Sequence, residues 1–206
     1  MLPQPAKVKK AEHHATLPYG QMPGFMGRLR NVDGESARAL EFAIYTAARS
    51  SEIRGATWAE IDFEAKSWTI PGERMKAGKT HRVPLSEPAL RILRRQRRRG
   101  DLVFNGRDSR QLSDMAMTLV VRRLKVDAVP HGLARATFKT WATEQSTFPR
   151  EVIEQALAHV LENKTEDAYW RGDLFDKRVR LMQAWGSYCS RQVARHPSRP
   201  KAEQFA

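Results

Sequence analysis

The stretch PHGLARATFKTWATE, residues 130–144, carries the spacing on which the interpretation of the whole chain depends. A helix is predicted around 132–146, and His131 and Arg135, two side chains that can bind phosphate, stand four residues apart at its start. Positions four apart differ by about 40° around an α-helix, so this spacing keeps the pair on one face. The question is whether Arg135 is a phosphate-binding arginine that pairs with His131, or whether that arginine has been lost and Ala134 stands in its place.

The composition is that of a basic globular protein. The 206 residues are 41% hydrophobic, enough for one well-packed domain. The net charge of +13 favours a polyanionic partner, nucleic acid before an anionic membrane. No apolar run approaches the roughly 20 residues that span a bilayer, and no apolar stretch follows the basic start as in a secretory signal. A single cysteine, Cys189, excludes an internal disulfide and a cysteine-based zinc site, so an intracellular protein is predicted.

Helices and one small sheet are predicted along the chain. Apolar residues in 35–58 recur at the spacing of a helix that faces a core. The segment 57–72 predicts two short strands, HRVPLS (81–86) a third, and ERMKAGKT (73–80) the hairpin tip between the second and third. Ser86 is expected to cap the next helix, with Pro88 in its first turn and Gly100 just past its end. Further helices are predicted around 111–127, 132–146, 150–158 and 176–193.

Five segments occur in an order that resembles one enzyme family. They are TAARSSEIRG (46–55), ERMKAGKTHRVPLS (73–86), HGLARATFKTW (131–141), LAHVLENKTEDAYWRGD (157–173) and FDKRVRLMQAW (175–185). Together they resemble the catalytic domain of the tyrosine recombinases, in particular the integrases of prophages and genomic islands. The resemblance implies a mainly helical fold with a small three-stranded antiparallel sheet. It also implies site-specific DNA recombination through a 3′-phosphotyrosine intermediate, without metal, ATP or another cofactor.

The first segment supplies an arginine and an acidic residue that can pair with it. The resemblance makes Arg49 the first catalytic arginine, and a planar guanidinium suits a phosphate better than a lysine does. Glu52, three residues later, is expected to hold the guanidinium in place, since residues three apart are neighbours on a helix. Arg54 is interpreted as structural or as a contact to the DNA backbone.

The hairpin tip supplies the general acid. Lys76 matches the lysine that the family uses to protonate the leaving 5′ oxygen, and a flexible ammonium on a turn can follow that oxygen. Lys79 is the competing candidate for this role and a candidate DNA contact. His81, in the strand that follows, is interpreted as structural.

The fourth segment supplies the nucleophile. His159 and Tyr169 stand ten residues apart. The resemblance makes Tyr169 the residue that attacks the scissile phosphate and His159 a donor to a non-bridging phosphate oxygen. Because a free tyrosine has a pKa of about 10, surrounding cations must assist its activation.

The register around Arg135 decides the opening question. In related integrases the arginine follows the His–Gly pair after one apolar residue, and an aromatic residue stands three positions beyond it. Phe138 is three positions beyond Arg135 but four beyond Ala134. The sequence therefore predicts one extra residue between His131 and Arg135, with Arg135 as the second catalytic arginine and His131 as its proton-handling partner.

The remaining expectations concern partners and extent. The run Arg94, Arg95, Arg97, Arg98 and Arg99 is a solvated helix end or a sequence-independent contact to DNA phosphates. Residues 1–18 are expected to be a connector, 19–193 the catalytic domain and 194–206 a flexible tail, with no N-terminal core-binding domain in the chain. Expected partners are double-stranded DNA, further integrase subunits in a synaptic tetramer and accessory DNA-bending proteins, in a bacterial cytoplasm at the nucleoid. The alternatives are a type I topoisomerase of the tyrosine class and a catalytically inactive DNA-binding remnant.

Overall fold

The computed structural model describes residues 15–159 and 174–192. Within these ranges the chain is mainly helical, with one π-helical turn and one small antiparallel sheet, which confirms the predicted fold class. The α-helices are α1 (Met22–Arg30), α2 (Glu35–Thr46), α3 (Ser50–Arg54), α4 (Glu87–Arg95), α5 (Ala116–Arg123), α6 (Thr137–Gln145), α7 (Arg150–Ala156) and α8 (Phe175–Cys189). None of the helices formed by these residues is long and apolar enough to cross a membrane.

The sheet has three strands in the order β1 (Ile61–Asp62), β2 (Ser67–Ile70) and β3 (His81–Pro84), all antiparallel. The three strands lie where the sequence predicts them. Trp68 of β2 stands opposite Val83 of β3, and both are buried, because one face of the sheet packs on the core. The β2–β3 connection, residues 71–80, carries Lys76 and Lys79.

Helix α2 lies at the centre of the fold. It packs against α1, α4, α5, α8 and the π-helical turn. The indole Nε1 of Trp185 on α8 donates to the carbonyl oxygen of Ile44 at 2.7 Å, so a buried polar group is satisfied where the two helices meet. The carboxyl end of α2 is therefore held from several sides, and Arg49 follows it directly.

The helical pattern predicted over 35–58 is interrupted after Thr46 and ends at Arg54, which the sequence does not predict. Helix α2 ends at Thr46, Ala47 has a left-handed backbone with φ of 52°, and α3 begins at Ser50 after Arg49. A left-handed residue is a common helix terminator, although it is seldom alanine. The break leaves the carbonyl oxygen of Ala47 without an intrahelical donor, and Arg135 binds it (below).

Helix α4 is shorter than predicted, and its cap is different. It ends at Arg95, so Gly100 does not lie just past its end. Continuing the helix would set arginines four apart on one face, which is unfavourable. Ser86 occupies the N-cap position, but its buried Oγ has no hydrogen-bond partner among the described residues. Gln183 of α8 caps the helix instead, because its Oε1 accepts from the backbone N–H of Glu87 at 3.1 Å.

Candidate active site

A π-helical turn, Gly132–Ala136, carries Arg135 into the interior directly before α6. The backbone N–H of Thr137 donates to the carbonyl oxygen of Gly132, and the Thr137 hydroxyl donates to the carbonyl oxygen of Leu17 at 2.9 Å. A π turn contains one more residue than an α-helical turn. It therefore fits the extra residue predicted between His131 and Arg135. Ala134 is part of the hydrophobic core, so that position does not line the site.

Arg135 is 4% exposed and is held mainly by backbone. Its Nη1 donates to the carbonyl oxygen of Ala47 at 2.8 Å, and its Nη2 donates to that of Leu157 at 2.6 Å. Burial, and then the nearby charge of Arg49, lower the pKa of Arg135 to about 10. Two guanidinium groups are thus held close together at some electrostatic cost, which a bound anion would relieve.

Arg49 is more accessible, with a side chain 22% exposed. It is the residue before α3, not a residue within a helix. Glu52, which is 3% exposed, accepts from the Arg49 guanidinium at 2.8 Å and from the Arg49 backbone N–H at 2.7 Å. The predicted pairing is present, but it arises from the capping of α3. Arg54, by contrast, donates to the carbonyl oxygen of Leu112 at 3.0 Å and pairs with Asp114, which is a structural role.

His159 closes the other side of Arg135. Its Nε2 lies 3.0 Å from Nη2 of Arg135, and its Nδ1 lies 2.5 Å from Oε2 of Glu154. Glu154 is 6% exposed, and its other oxygen lies 2.7 Å from Nζ of Lys139. Burial lowers the pKa of His159, as do the charges of Arg135 and Lys139, while the hydrogen bond to Glu154 opposes the change. Neither Glu154 nor Lys139 is recognisable as part of the site from the sequence.

The pKa of Glu154 is shifted by opposing influences. Burial raises it, but the hydrogen bonds from Lys139 and His159, together with their charges, outweigh burial and leave it below its ordinary value. The carboxyl group is therefore ionised at neutral pH. It can accept a hydrogen bond from a protonated Nδ1 of His159.

Two of the other predicted catalytic side chains, those of His131 and Lys76, lie at the surface. His131 is exposed at the helical start of the π turn, while the described hydrogen bonds of Arg135 go to Ala47, Leu157 and His159. Lys76 and Lys79 are exposed on the β2–β3 connection. Within residues 15–159 and 174–192, Lys76 has neither a hydrogen bond nor an ion pair, so its ammonium can reach a ligand. Tyr169 lies outside the described residues.

His81 and Arg178 are two further ionisable groups at the site. His81, on β3, has its pKa lowered to about 4 by burial first and then by the charge of Arg178, with Arg135 and Arg49 acting in the same direction and Glu52 opposing. Arg178 is 2% exposed on α8 and donates to the carbonyl oxygen of Arg82 at 2.6 Å. His81 therefore lies within the field of three arginines. The sequence did not single out Arg178, because an arginine on an amphipathic helix is ordinarily solvated.

The arginine run divides at the end of α4. Arg94 pairs with Glu87 at 3.4 Å, and the guanidinium of Arg98 lies 4.7 Å from the ring centroid of Trp58. All five arginines of the run are exposed, and the last three lie in the irregular segment that follows the helix. The run is an accessible positive surface, consistent with either interpretation made from the sequence.

The chain is similar in sequence to known proteins. The sequence model of the phage integrase family matches residues 19–173. The prophage integrase IntA of Escherichia coli K12 is 34% identical over 174 residues, which cover 80% of this chain and 42% of that protein. The chain spans about half the length of the curated relatives that it matches.

Solved structures share the fold. The integrase from mycobacterium phage Brujita superposes with a TM-score of 0.66 at 19% identity, covering 94% of this chain and 65% of that one. A lambda integrase dimer bound to a COC′ core site superposes with a TM-score of 0.57 at 15% identity, covering 82% of this chain and 62% of that one. The architecture is therefore that of integrase catalytic domains.

Proposed function

Because the chain belongs to the phage integrase family, we propose that it contains the strand-transfer domain of a site-specific DNA recombinase. The observation that carries the proposal is the arrangement of Arg49, Arg135 and His159. Two guanidinium groups and an imidazole converge at one place, with Arg135 buried and Arg49 partly exposed. Preorganised donors of this kind stabilise the charge that develops on a phosphate in the transition state.

In the proposed reaction the hydroxyl oxygen of Tyr169 attacks the scissile phosphorus. The new Tyr–O–P bond forms as the bond from phosphorus to the 5′ oxygen breaks. Lys76 gives its proton to the leaving 5′ oxygen, and His131 accepts the proton of the attacking hydroxyl. Arg49 and Arg135 bind the non-bridging oxygens, and His159 donates to one of them. Glu52 keeps the Arg49 guanidinium in place.

Double-stranded DNA is the proposed substrate, and a second copy of the chain on that DNA is the proposed partner. The lambda integrase structure, a dimer bound to a core site, supports both points by its likeness in fold. A net charge of +13 is suited to a DNA backbone. The exposed arginines at positions 94, 95, 97, 98 and 99, together with Lys79, are the proposed backbone contacts. The proposed location is the bacterial cytoplasm.

The test is capture of the covalent intermediate. The full chain is incubated with a library of nicked duplexes of random sequence, in which the short 5′ product diffuses away and cleaved complexes accumulate. SDS-resistant adducts are then isolated, their DNA is sequenced, and the attached peptide is identified by mass spectrometry. Adducts attached through Tyr169 and absent from Tyr169→Phe are expected.

Two outcomes would overturn the proposal. One is a folded, DNA-binding chain that gives no adduct from any duplex in the library, as an inactive DNA-binding remnant would. The other is an adduct that persists in Tyr169→Phe. A topoisomerase would form the adduct but relax supercoiled DNA carrying the selected sequence, without joining two such sites.

A further inference from the structure

The pairing of His159 with both Arg135 and Glu154 determines where the proton on its ring lies. An arginine only donates, so Nη2 of Arg135 at 3.0 Å requires Nε2 of His159 to accept. The neutral imidazole then carries its proton on Nδ1, which donates to Glu154 at 2.5 Å. In this state His159 has no proton at Nε2 to give to a phosphate.

A bound phosphate oxygen would require Nε2 of His159 to donate a hydrogen bond, whereas Arg135 requires it to accept one. The side chain of His159 is 37% exposed, so a phosphate oxygen held by Arg49 and Arg135 can approach it. That oxygen only accepts, and an unprotonated Nε2 facing it would place two lone pairs against each other. The contact becomes favourable when Nε2 takes up a proton from solvent and the ring becomes an imidazolium.

The carboxylate of Glu154 is placed to support that imidazolium. It stays bonded to Nδ1 in both protonation states, and Lys139 fixes its other oxygen at 2.7 Å. The backbone N–H of His159 also donates to the carbonyl oxygen of Glu154 at 3.0 Å, which holds the His159 main chain against α7. The charged groups facing the ring from the described elements are Arg135, Lys139 and Glu154, and of these only Glu154 favours the cation.

We propose that Glu154 is a positioning residue, which fixes one proton on Nδ1 of His159 and lets the ring take up a second at Nε2 when a phosphate oxygen binds. This inference rests on the proposed function, since it concerns a scissile phosphate bound at the same site. Its first test does not need cleavage. The ring ¹⁵N shifts of His159 are measured across pH in the full chain, without and with inorganic phosphate as the probe.

Expected results differ between the natural chain and Glu154→Gln. The natural chain should show the Nδ1–H tautomer, and phosphate should raise the pKa of His159. In Glu154→Gln the tautomer preference and the phosphate-dependent rise should both diminish. Glu151→Gln, on the same helix, is the matched control and should behave as the natural chain. An Nε2–H tautomer in the natural chain, no rise with phosphate, or an unchanged Glu154→Gln would each overturn the proposal.

Cleavage provides a second readout. Glu154→Gln should form the adduct more slowly at pH 7.5 and regain rate as the pH falls, about tenfold for each unit by which the imidazolium is destabilised. A merely structural defect would lower the rate at every pH, and that outcome contradicts the proposal. If the natural chain forms no adduct at all, the proposed function fails while the ring measurements still decide the role of Glu154.

Discussion

The backbone N–H of Thr137 donates to the carbonyl oxygen of Gly132, five residues earlier, where an α-helix would use the residue four earlier. This single wider turn absorbs one residue without displacing α6. It leaves Arg135 buried beside Ala47 and Leu157. The extra residue between His131 and Arg135 is thus compatible with an arginine that reaches the site.

Arg135→Ala should abolish adduct formation, because it removes donors that bind the phosphate in the transition state. Loss of a single such donor costs on the order of 10²–10³-fold in rate. Ala134→Gly is the neighbouring control and should be mild, since it removes only one buried methyl group. Rates of adduct formation on the selected duplex check this, and normal cleavage by Arg135→Ala would refute the assignment.

Gly132→Ala should destabilise the fold. A Cβ at this position would lie 2.1 Å from the carbonyl oxygen of Ala15, so the segment that crosses the π turn must shift. A loss of about 1–3 kcal/mol is expected, as for other overpacked positions. Gly27→Ala is the control, because a Cβ added at Gly27 in α1 would meet nothing within 4 Å, and alanine favours helix there. Chemical denaturation of both variants measures the difference.

Lys76→Ala should slow cleavage of ordinary DNA but not of DNA with sulfur in place of the leaving 5′ oxygen. A thiolate is a good leaving group and needs no proton, so the general acid becomes dispensable. Lys79→Ala serves as the control and should show no such rescue. If sulfur rescues Lys79→Ala instead, the general acid is Lys79.

His81 should make the fold sensitive to acid. Its folded pKa of about 4 lies below the ordinary 6.5, so the unfolded chain binds the proton first as the pH falls. Stability from this group is fully present above pH 6.5 and is lost towards pH 4, by on the order of 3 kcal/mol. The unfolding free energy of His81→Gln should fall less steeply over this range. Equal slopes in the natural chain and in His81→Gln would contradict the prediction.

The arginines after α4 should contribute to non-specific DNA binding. Replacing Arg97 and Arg99 by glutamine should lower the affinity and reduce the slope of log K against log salt by about 2, since each phosphate contact contributes about 0.9. Arg122 and Arg123, exposed at the end of α5, provide a double variant with the same loss of charge. Titrations over a range of salt concentrations compare the two, and identical slopes would show that the run is an ordinary solvated surface.

The sequence predicts much of this fold because its patterns are local. The apolar period of α2, the three short strands and the Arg49–Glu52 spacing each depend on neighbours in the chain. The helix ends are less predictable. The left-handed turn at Ala47 and the early end of α4 depend on packing and on like charges, and no local residue marks them.

The partners of His159 could not be predicted for a similar reason. Glu154 stands five residues before it, and on a regular helix such residues point about 140° apart. The left-handed backbone of Ala158, with φ of 49°, turns the chain so that the ring meets the carboxylate. Lys139 joins them only because α6 packs on α7. Tertiary structure, not spacing, assembles this part of the site.

The anchoring of Arg135 by the main chain has a consequence for tolerance to mutation. The oxygens of Ala47 and Leu157 belong to the backbone, so exchanging either side chain for another of similar size removes no acceptor. Such substitutions at these two positions therefore leave the hydrogen bonds that orient the Arg135 guanidinium in place. The sensitive point is instead the backbone after α7, because any shift of the Leu157 carbonyl oxygen removes the acceptor of Nη2 whatever side chain stands there.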